Sequence, residues 1–204
     1  QLLDVALYEP ILRIIESVVV RYDQTGRGKP LLGNQMEEDV PRNVYATADG
    51  NAIAISCGSQ AIYEGLATAM GRPDLITDPR FLSMSLRVEH RDAIDAEVAA
   101  WMAAQETEPA LERLRAHRVV AGKVNRIEDV FADAHVAARK AIETIVDDQL
   151  GPIRMPAPSP KLSDTPGRIR WAGQVSGAAN DEVFGEWLGM SRAEIDALRQ
   201  QKVI

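Results

Sequence analysis

The 204-residue sequence has few of the residues on which several classes of protein depend. Its single cysteine, Cys57, excludes an internal disulfide and a thiolate metal cluster, so a reducing, cytoplasmic compartment is expected. Lys and Arg number 23 against 30 Asp and Glu, and the net charge of −7 argues against a nucleic-acid partner. No apolar run approaches the ~18 residues of a membrane span, so no membrane partner is expected.

No motif in the sequence defines a catalytic or metal centre. His90, His117 and His135 lack the i, i+4 spacing of a zinc-binding helix face, and no G-x-G-x-x-G or P-loop motif is present. Cys57 precedes a helix but has no histidine near it in sequence, which favours a structural thiol over a nucleophile. The carboxylates fall on helix faces where solvent exposure explains them, and Arg91 and Asp95 are assigned to the solvent face of the helix predicted over 84–104. We therefore predict no catalytic residue and no metal site.

What the sequence does have is a composition and pattern typical of a globular α/β chain, with 46% apolar and 26% charged residues. Residues 2–8 predict a short apolar strand, and Glu9 and Pro10 begin a helix that Gly26 ends. A chain that starts within a buried strand is typical of a piece of a longer polypeptide. Further helices are predicted over residues 60–70, 84–104, 107–116, 127–132, 134–140, 181–188 and from 192 onward.

Turn signals place the strands. Two alternating runs on either side of Asp49-Gly50 predict a β-hairpin over residues 44–56. Thr107 is the predicted N-cap of the helix that follows it, and Ser191 with Glu194 forms a capping box for the last helix. Short strands are predicted at 119–124 and 142–146, and five prolines within 150–180 predict an extended arm.

The polar loop before the hairpin contains the candidate binding residues. Gly33 allows a ligand to approach the backbone closely. The side-chain amides of Asn34 and Gln35 could bind a carboxylate or a thioester oxygen. We predict Gly33, Asn34 and Gln35 as substrate-binding residues, although a loop of this composition without a ligand is the alternative.

Six stretches in a fixed order resemble the C-terminal half of class III CoA-transferases. This is the CaiB/BaiF family, which includes formyl-CoA transferase and α-methylacyl-CoA racemase. Residues 133–139 resemble a D-P-H-x-x-x-R segment of the family, with Ala134 in place of the proline. The matching stretches lie at residues 4–9, 41–50, 70–87, 133–139, 155–167 and 180–195.

The resemblance implies an α/β fold with three parts. These are the C-terminal part of a Rossmann-like large domain, a small α+β domain with the hairpin, and a proline-rich arm. Residues 1–26 would end the large-domain core, 27–41 would be a linker loop, and 42–140 the small domain. Residues 141–204 would form the arm and the C-terminal helices that return to the large domain.

The resemblance also implies a chemistry and partners. In this family an aspartate attacks an acyl-CoA and passes CoA to a second carboxylic acid, so acyl-CoA and an acid are substrates and no cofactor is held covalently. That aspartate would lie upstream of Gln1, on an N-terminal half, in a homodimer or interlocked oligomer. The loop containing Gly33, Asn34 and Gln35 would cover the active site. Two alternatives stay open, a racemase-like isomerase and a non-catalytic assembly or binding subunit.

Overall fold

The computed structural model describes residue 2 and residues 4–204, and the chain divides into two compact units. The first unit ends at Val124 and the second begins at Asn125. Each combines helices with an antiparallel sheet, which confirms the α/β class. The assignment of segments to a large and a small domain stays a prediction.

Residues of the first unit form short helices around a three-stranded sheet of order β1-β2-β3. The strands are β1 (Arg42–Ala46), β2 (Ala52–Ser56) and β3 (Val120–Lys123). The helices are α1 (Glu9–Ile14), α2 (Glu16–Thr25), α3 (Gln60–Ala69), α4 (Asp74–Thr77), α5 (Met84–Glu89), α6 (Arg91–Ala103) and α7 (Thr107–Ala116).

The predicted hairpin is confirmed. Strands β1 and β2 pair antiparallel with Val44 opposite Ala54, and the chain reverses at Asp49-Gly50. Gly50 has a φ of 77°, a left-handed conformation that glycine adopts without steric cost. The predicted strand near residue 120 is β3, which adds to the other edge of β2 with Ala121 opposite Ile55.

The core of this unit lies where helices cover the sheet. Helix α6 packs against β1, α7 packs against β2 and β3, and α3 packs against α7. A Cβ atom added to Gly65 of α3 would lie 2.4 Å from the His117 carbonyl oxygen, so a side chain there would force the two segments apart. Buried apolar side chains in this core include Tyr45, Ile53, Ile55, Leu66, Ile94, Val98, Met102, Leu111 and Leu114.

Helix α7 begins with a cap that comes from the hairpin turn. Thr107, the predicted N-cap, is instead the first helical residue, and Glu106 before it makes no side-chain capping bond. The Asp49 carboxylate accepts the Thr107 backbone N–H at 3.1 Å and the Thr107 hydroxyl at 2.8 Å. Hydrogen bonds from Thr47 and Thr107 hold the pKa of the Asp49 carboxyl well below its usual range. The hairpin turn and α7 are therefore fixed to each other.

A fully buried arginine joins three other parts of the unit. The Arg87 Nε donates to the Val40 carbonyl at 3.0 Å, and Nη1 donates to the Phe81 carbonyl at 2.9 Å and to the Gln60 side chain at 2.8 Å. Its guanidinium lies over the Tyr63 ring, 4.2 Å from the ring centroid. Because burial disfavours the charged form, the pKa of Arg87 is lowered from its usual value.

The predicted strand at residues 2–8 is wrong for the residues that the structure describes. Residue 2 and residues 4–8 form no strand, and Leu3 lies outside the described residues. The Glu9 carboxylate accepts the Ala6 N–H at 3.1 Å, so the chain turns here into α1. A strand needs a neighbour to pair with its backbone, and no described strand of this unit pairs with the segment.

Two predicted long helices are each divided in two. The helix that begins at Glu9 breaks at Ile15 and ends as predicted at Gly26, which has a φ of 65°. The helix predicted over 84–104 breaks at His90, whose φ and ψ are −105° and 32°. The apolar spacing continues across both breaks, so hydrophobic periodicity could not reveal them.

The second unit has a two-stranded antiparallel sheet, β4 (Ile142–Asp147) with β5 (Gly151–Pro156). Helices α8 (Ile127–Ala132) and α9 (Ala134–Ala138) precede it, as predicted. Strand β5 forms the start of the predicted proline-rich arm, and residues 157–174 continue it without regular structure. The Arg154 guanidinium of β5 lies over the Phe131 ring of α8, 4.3 Å from its centroid.

The C-terminal segment differs from prediction in one helix. Asp181–Trp187 forms a π-helix rather than an α-helix, and the Leu188 N–H reaches back five residues to the Val183 carbonyl at 3.1 Å. The last helix, α10 (Arg192–Gln200), begins with the predicted capping box. No helix among the described residues has the length and apolar character needed to cross a membrane.

We expect Arg87→Leu to lower the free energy of unfolding by about 3 kcal/mol, because two buried carbonyls and the Gln60 side chain would lose their donor. Thermal unfolding followed by circular dichroism measures this as a fall in Tm. The matched control is Arg115→Leu on the exposed face of α7, which should leave Tm close to wild type. Equal Tm values for the two variants would contradict the structural role of Arg87.

Candidate functional site

The candidate site is the loop of residues 31–40 between α2 and β1, here called the anchored loop. It contains a turn in which the Gln35 N–H donates to the Leu32 carbonyl at 3.1 Å. Gly33 at the turn has a φ of 60°, and nothing lies within 4 Å of the position that a Cβ would occupy. Gly33 and Asn34 are exposed, so the tip of the loop faces solvent.

Three side chains spaced four residues apart hold the base of this loop. Arg87 on α5 and Arg91 and Asp95 on α6 follow one another at the interval of about one helical turn. Each of the three hydrogen-bonds a different part of the anchored loop. The loop therefore lies along a single line of side chains that extends across the break at His90.

Asp95 binds the loop through the side chain of Gln35. Its Oδ2 accepts the Gln35 amide at 2.7 Å and the Asn43 amide at 2.8 Å, and its Oδ1 accepts the Tyr45 hydroxyl. Burial and the neighbouring Asp95 carboxylate raise the pKa of Tyr45 well above its usual value, so Tyr45 stays a protonated donor. Three donors thus surround one carboxylate.

The Arg91 side chain binds backbone carbonyls of the loop. The guanidinium nitrogens donate to the Met36 carbonyl at 2.6 Å and to the Glu37 carbonyl at 2.7 Å. The Glu37 side chain forms a bidentate pair with Arg21 of α2, with one contact of 2.7 Å. That hydrogen-bonded pair lowers the pKa of Glu37 from its usual value. The middle of the loop is consequently held between α2 and α6.

The C-terminal end of the loop is held by Arg87 and by neighbouring groups. The Val40 carbonyl accepts the Arg87 Nε at 3.0 Å, and the Val40 N–H lies 3.3 Å from the Met84 sulfur. Asp39 accepts the Ser56 hydroxyl at 2.9 Å and Arg42 at 3.2 Å, both through Oδ2. The chain therefore enters β1 in a fixed direction.

The predicted binding residues have different environments. Gly33 and Asn34 lie at the exposed tip, whereas Gln35 is half-buried and bound to Asp95. Their role in substrate binding stays a prediction. Sequence reasoning missed Arg91 and Asp95, which it assigned to the solvent face of a helix. Their spacing from Arg87 is the signal that could have indicated a shared partner.

Cysteine and histidine side chains take no part in this site. Cys57 is fully buried, and burial raises the pKa of its thiol to about 12. His117 and His135 are exposed and His90 is half-buried. In the part of the chain that the structure describes, no group of three or more His, Cys, Asp or Glu side chains could hold a metal ion.

The fold is that of a known class of proteins. A CaiB/BaiF family protein from Brucella suis superposes on 91% of this chain with a TM-score of 0.71 and 24% sequence identity. The chain covers 48% of that structure. The model of CoA-transferase family III matches residues 1–177, and the chain belongs to this family.

Characterised relatives from Chloroflexus aurantiacus match the whole chain. A succinyl-CoA–D-citramalate CoA-transferase is 34% identical over 204 residues, and the beta subunit of a succinyl-CoA–L-malate CoA-transferase is 35% identical over 206 residues. The chain covers 51% of each of these proteins. It therefore spans about half the length of the curated relatives that it matches.

We expect Arg91→Ala to release the middle of the anchored loop. Loss of two charged hydrogen bonds to backbone carbonyls should speed amide hydrogen exchange in residues 33–39 by about tenfold. Exchange followed by mass spectrometry measures this, with Asp92→Ala on the exposed side of α6 as control. Unchanged exchange in the loop would show that Arg91 does not restrain it.

The Cys57 thiol should be unreactive in the folded protein. The thiolate is the reactive form, and a thiol pKa of about 12 leaves little of it at pH 8. We expect alkylation by iodoacetamide to be at least ~100-fold slower than in denaturant, where the pKa is about 8.5. Peptide mass spectrometry measures the modified fraction at Cys57, and rapid labelling without denaturant would contradict its burial.

Proposed function

We propose that this chain is the C-terminal part of a CoA-transferase that moves CoA from succinyl-CoA to a dicarboxylic acid. The observation that carries the proposal is the identity of about a third across the whole chain to enzymes named for this reaction. The anchored loop supports it, since its exposed tip presents Gly33 and Asn34 above a base in which Gln35 is bound to Asp95. We place the enzyme in the cytoplasm.

The proposed reaction is acyl exchange through an aspartate. The carboxylate attacks the thioester carbonyl and expels CoA thiolate, which leaves a mixed anhydride. The thiolate attacks the aspartyl carbonyl of that anhydride, releases succinate and forms an aspartyl–CoA thioester. The acceptor carboxylate attacks this thioester and expels CoA thiolate, which leaves a second anhydride between the aspartate and the acceptor acid. The thiolate then attacks the acceptor carbonyl of that anhydride, which gives the new acyl-CoA and restores the aspartate.

In this proposal the aspartate belongs to an N-terminal half that the present chain does not include. The length of the curated relatives supports that placement, because this chain covers only 51% of each. The proposed contribution of this chain is substrate binding by Gly33, Asn34 and Gln35.

The first two helices offer a surface for that N-terminal half. No residue of α1 or α2 is buried, although Ile11, Ile14 and Val20 are large and apolar. The side chain of Ile14 is 82% exposed. An exposed apolar surface of this kind is typical of an interface. We propose that residues 1–26 complete the large domain and that the whole enzyme is an interlocked dimer.

The test uses the complete enzyme, this chain together with the N-terminal half. We expect it to form a new acyl-CoA from succinyl-CoA and citramalate, measured by liquid chromatography, whereas the 204-residue chain alone should be inactive. Mass spectrometry after incubation with succinyl-CoA should place the CoA adduct on an aspartate outside this chain.

Three outcomes would contradict the proposal. A CoA adduct on a residue of this chain would move the nucleophile here. Epimerisation of a 2-methylacyl-CoA without CoA transfer would instead indicate a racemase, and binding without either reaction would indicate an assembly subunit.

A further inference from the structure

The contact between Gln35 and Asp95 determines which way the Gln35 amide is turned. A carboxylate only accepts hydrogen bonds, so the Gln35 group 2.7 Å from the Asp95 Oδ2 has to be the Nε2 donor. The Gln35 Oε1, on the other branch of the amide, then points away from Asp95. Among the described residues, none donates a hydrogen bond to this oxygen.

The Asp95 carboxylate is itself held so that it cannot turn. The Asn43 Oδ1 accepts the Val44 N–H at 2.8 Å, which leaves the Asn43 Nδ2 to donate to the Asp95 Oδ2. The Tyr45 hydroxyl, which is buried in β1, donates to the other oxygen. Two residues of β1 therefore fix the carboxylate that orients Gln35.

We propose that the Gln35 Oε1 accepts a hydrogen bond from a substrate and that Asp95 is its positioning residue. This rests on the proposed function, in which the anchored loop contacts substrate. Because the group presented is an acceptor, its ligand carries a donor, either a hydroxyl of the acceptor acid or an amide N–H of the CoA pantetheine arm. A free carboxylate, which lacks a donor, does not bind there.

Two kinds of substitution separate this role from a merely structural one. Gln35→Leu keeps the size of the side chain and removes its acceptor. Asp95→Ala removes the group that orients Gln35. In Asp95→Asn, the Asn43 Nδ2 still donates, so the introduced amide has to place its oxygen at the former Oδ2 position and its NH₂ toward the Tyr45 hydroxyl. That oxygen would still accept the hydrogen bond from the Gln35 Nε2. Asp95→Asn should therefore keep the orientation that Asp95→Ala loses.

The experiment compares two acceptor acids in the complete enzyme with succinyl-CoA as donor. Citramalate and 2-methylsuccinate differ by one hydroxyl. We expect wild type to prefer citramalate in kcat/KM by about tenfold, the usual effect of one substrate hydrogen bond. Gln35→Leu and Asp95→Ala should abolish this preference, while Asp95→Asn and the control Asp92→Ala keep it.

The variants can instead keep the preference for citramalate while Gln35→Leu and Asp95→Ala raise KM for succinyl-CoA several-fold and Asp95→Asn keeps the wild-type KM. In that case the hydrogen-bond donor is the pantetheine N–H. The assignment is overturned if Gln35→Leu changes neither the preference for citramalate nor KM for succinyl-CoA. It is also overturned if Asp95→Asn changes these two quantities as much as Asp95→Ala does. A wild-type enzyme that transfers CoA to neither acid would instead overturn the proposed function, and this assignment with it.

Discussion

The buried guanidinium of Arg87 is the constraint that organises the first unit. A charge removed from water has to be surrounded by acceptors, and Arg87 finds them in the carbonyls of Val40 and Phe81 and in the side chain of Gln60. These acceptors lie before β1, before α5 and in α3. A displacement of any one of these segments would cost the buried charge one of its hydrogen bonds, so the anchored loop is tied to the helices.

The line of side chains that begins at Arg87 continues along α6 with Arg91 and Asp95, and it changes from hydrogen-bond donors to an acceptor. Arg87 and Arg91 donate to backbone carbonyls, whereas Asp95 accepts from a side chain. The two arginines thus fix the position of the loop backbone, and Asp95 fixes the orientation of the Gln35 amide. A binding group needs such support, because a small displacement costs much of its interaction energy. The tip at Gly33 and Asn34 stays exposed to solvent.

Features set by neighbouring residues could be predicted from the sequence, and features set by distant ones could not. The Asp49-Gly50 turn, the end of α2 at Gly26 and the capping box at Ser191 each depend on a few adjacent residues. The cap of α7 comes from Asp49, 58 residues away in sequence, and the break at His90 leaves no mark in the apolar spacing. In the candidate site, a local pattern identified the loop, but the partner of Gln35 lies 60 residues away in sequence.

Several ionisable side chains of this chain are held in ion pairs or are buried. Asp78 and Glu37 are held by arginines, and their lowered pKa values reflect those pairs. Tyr45 and Cys57 have raised pKa values because they are buried, which keeps them neutral. Because the anion is the nucleophilic form of a phenol or a thiol, neither Tyr45 nor Cys57 is a good nucleophile at neutral pH. In the proposed function, a reactive carboxylate supplied by another part of the enzyme would meet in Gln35 an amide whose direction is already set by Asp95.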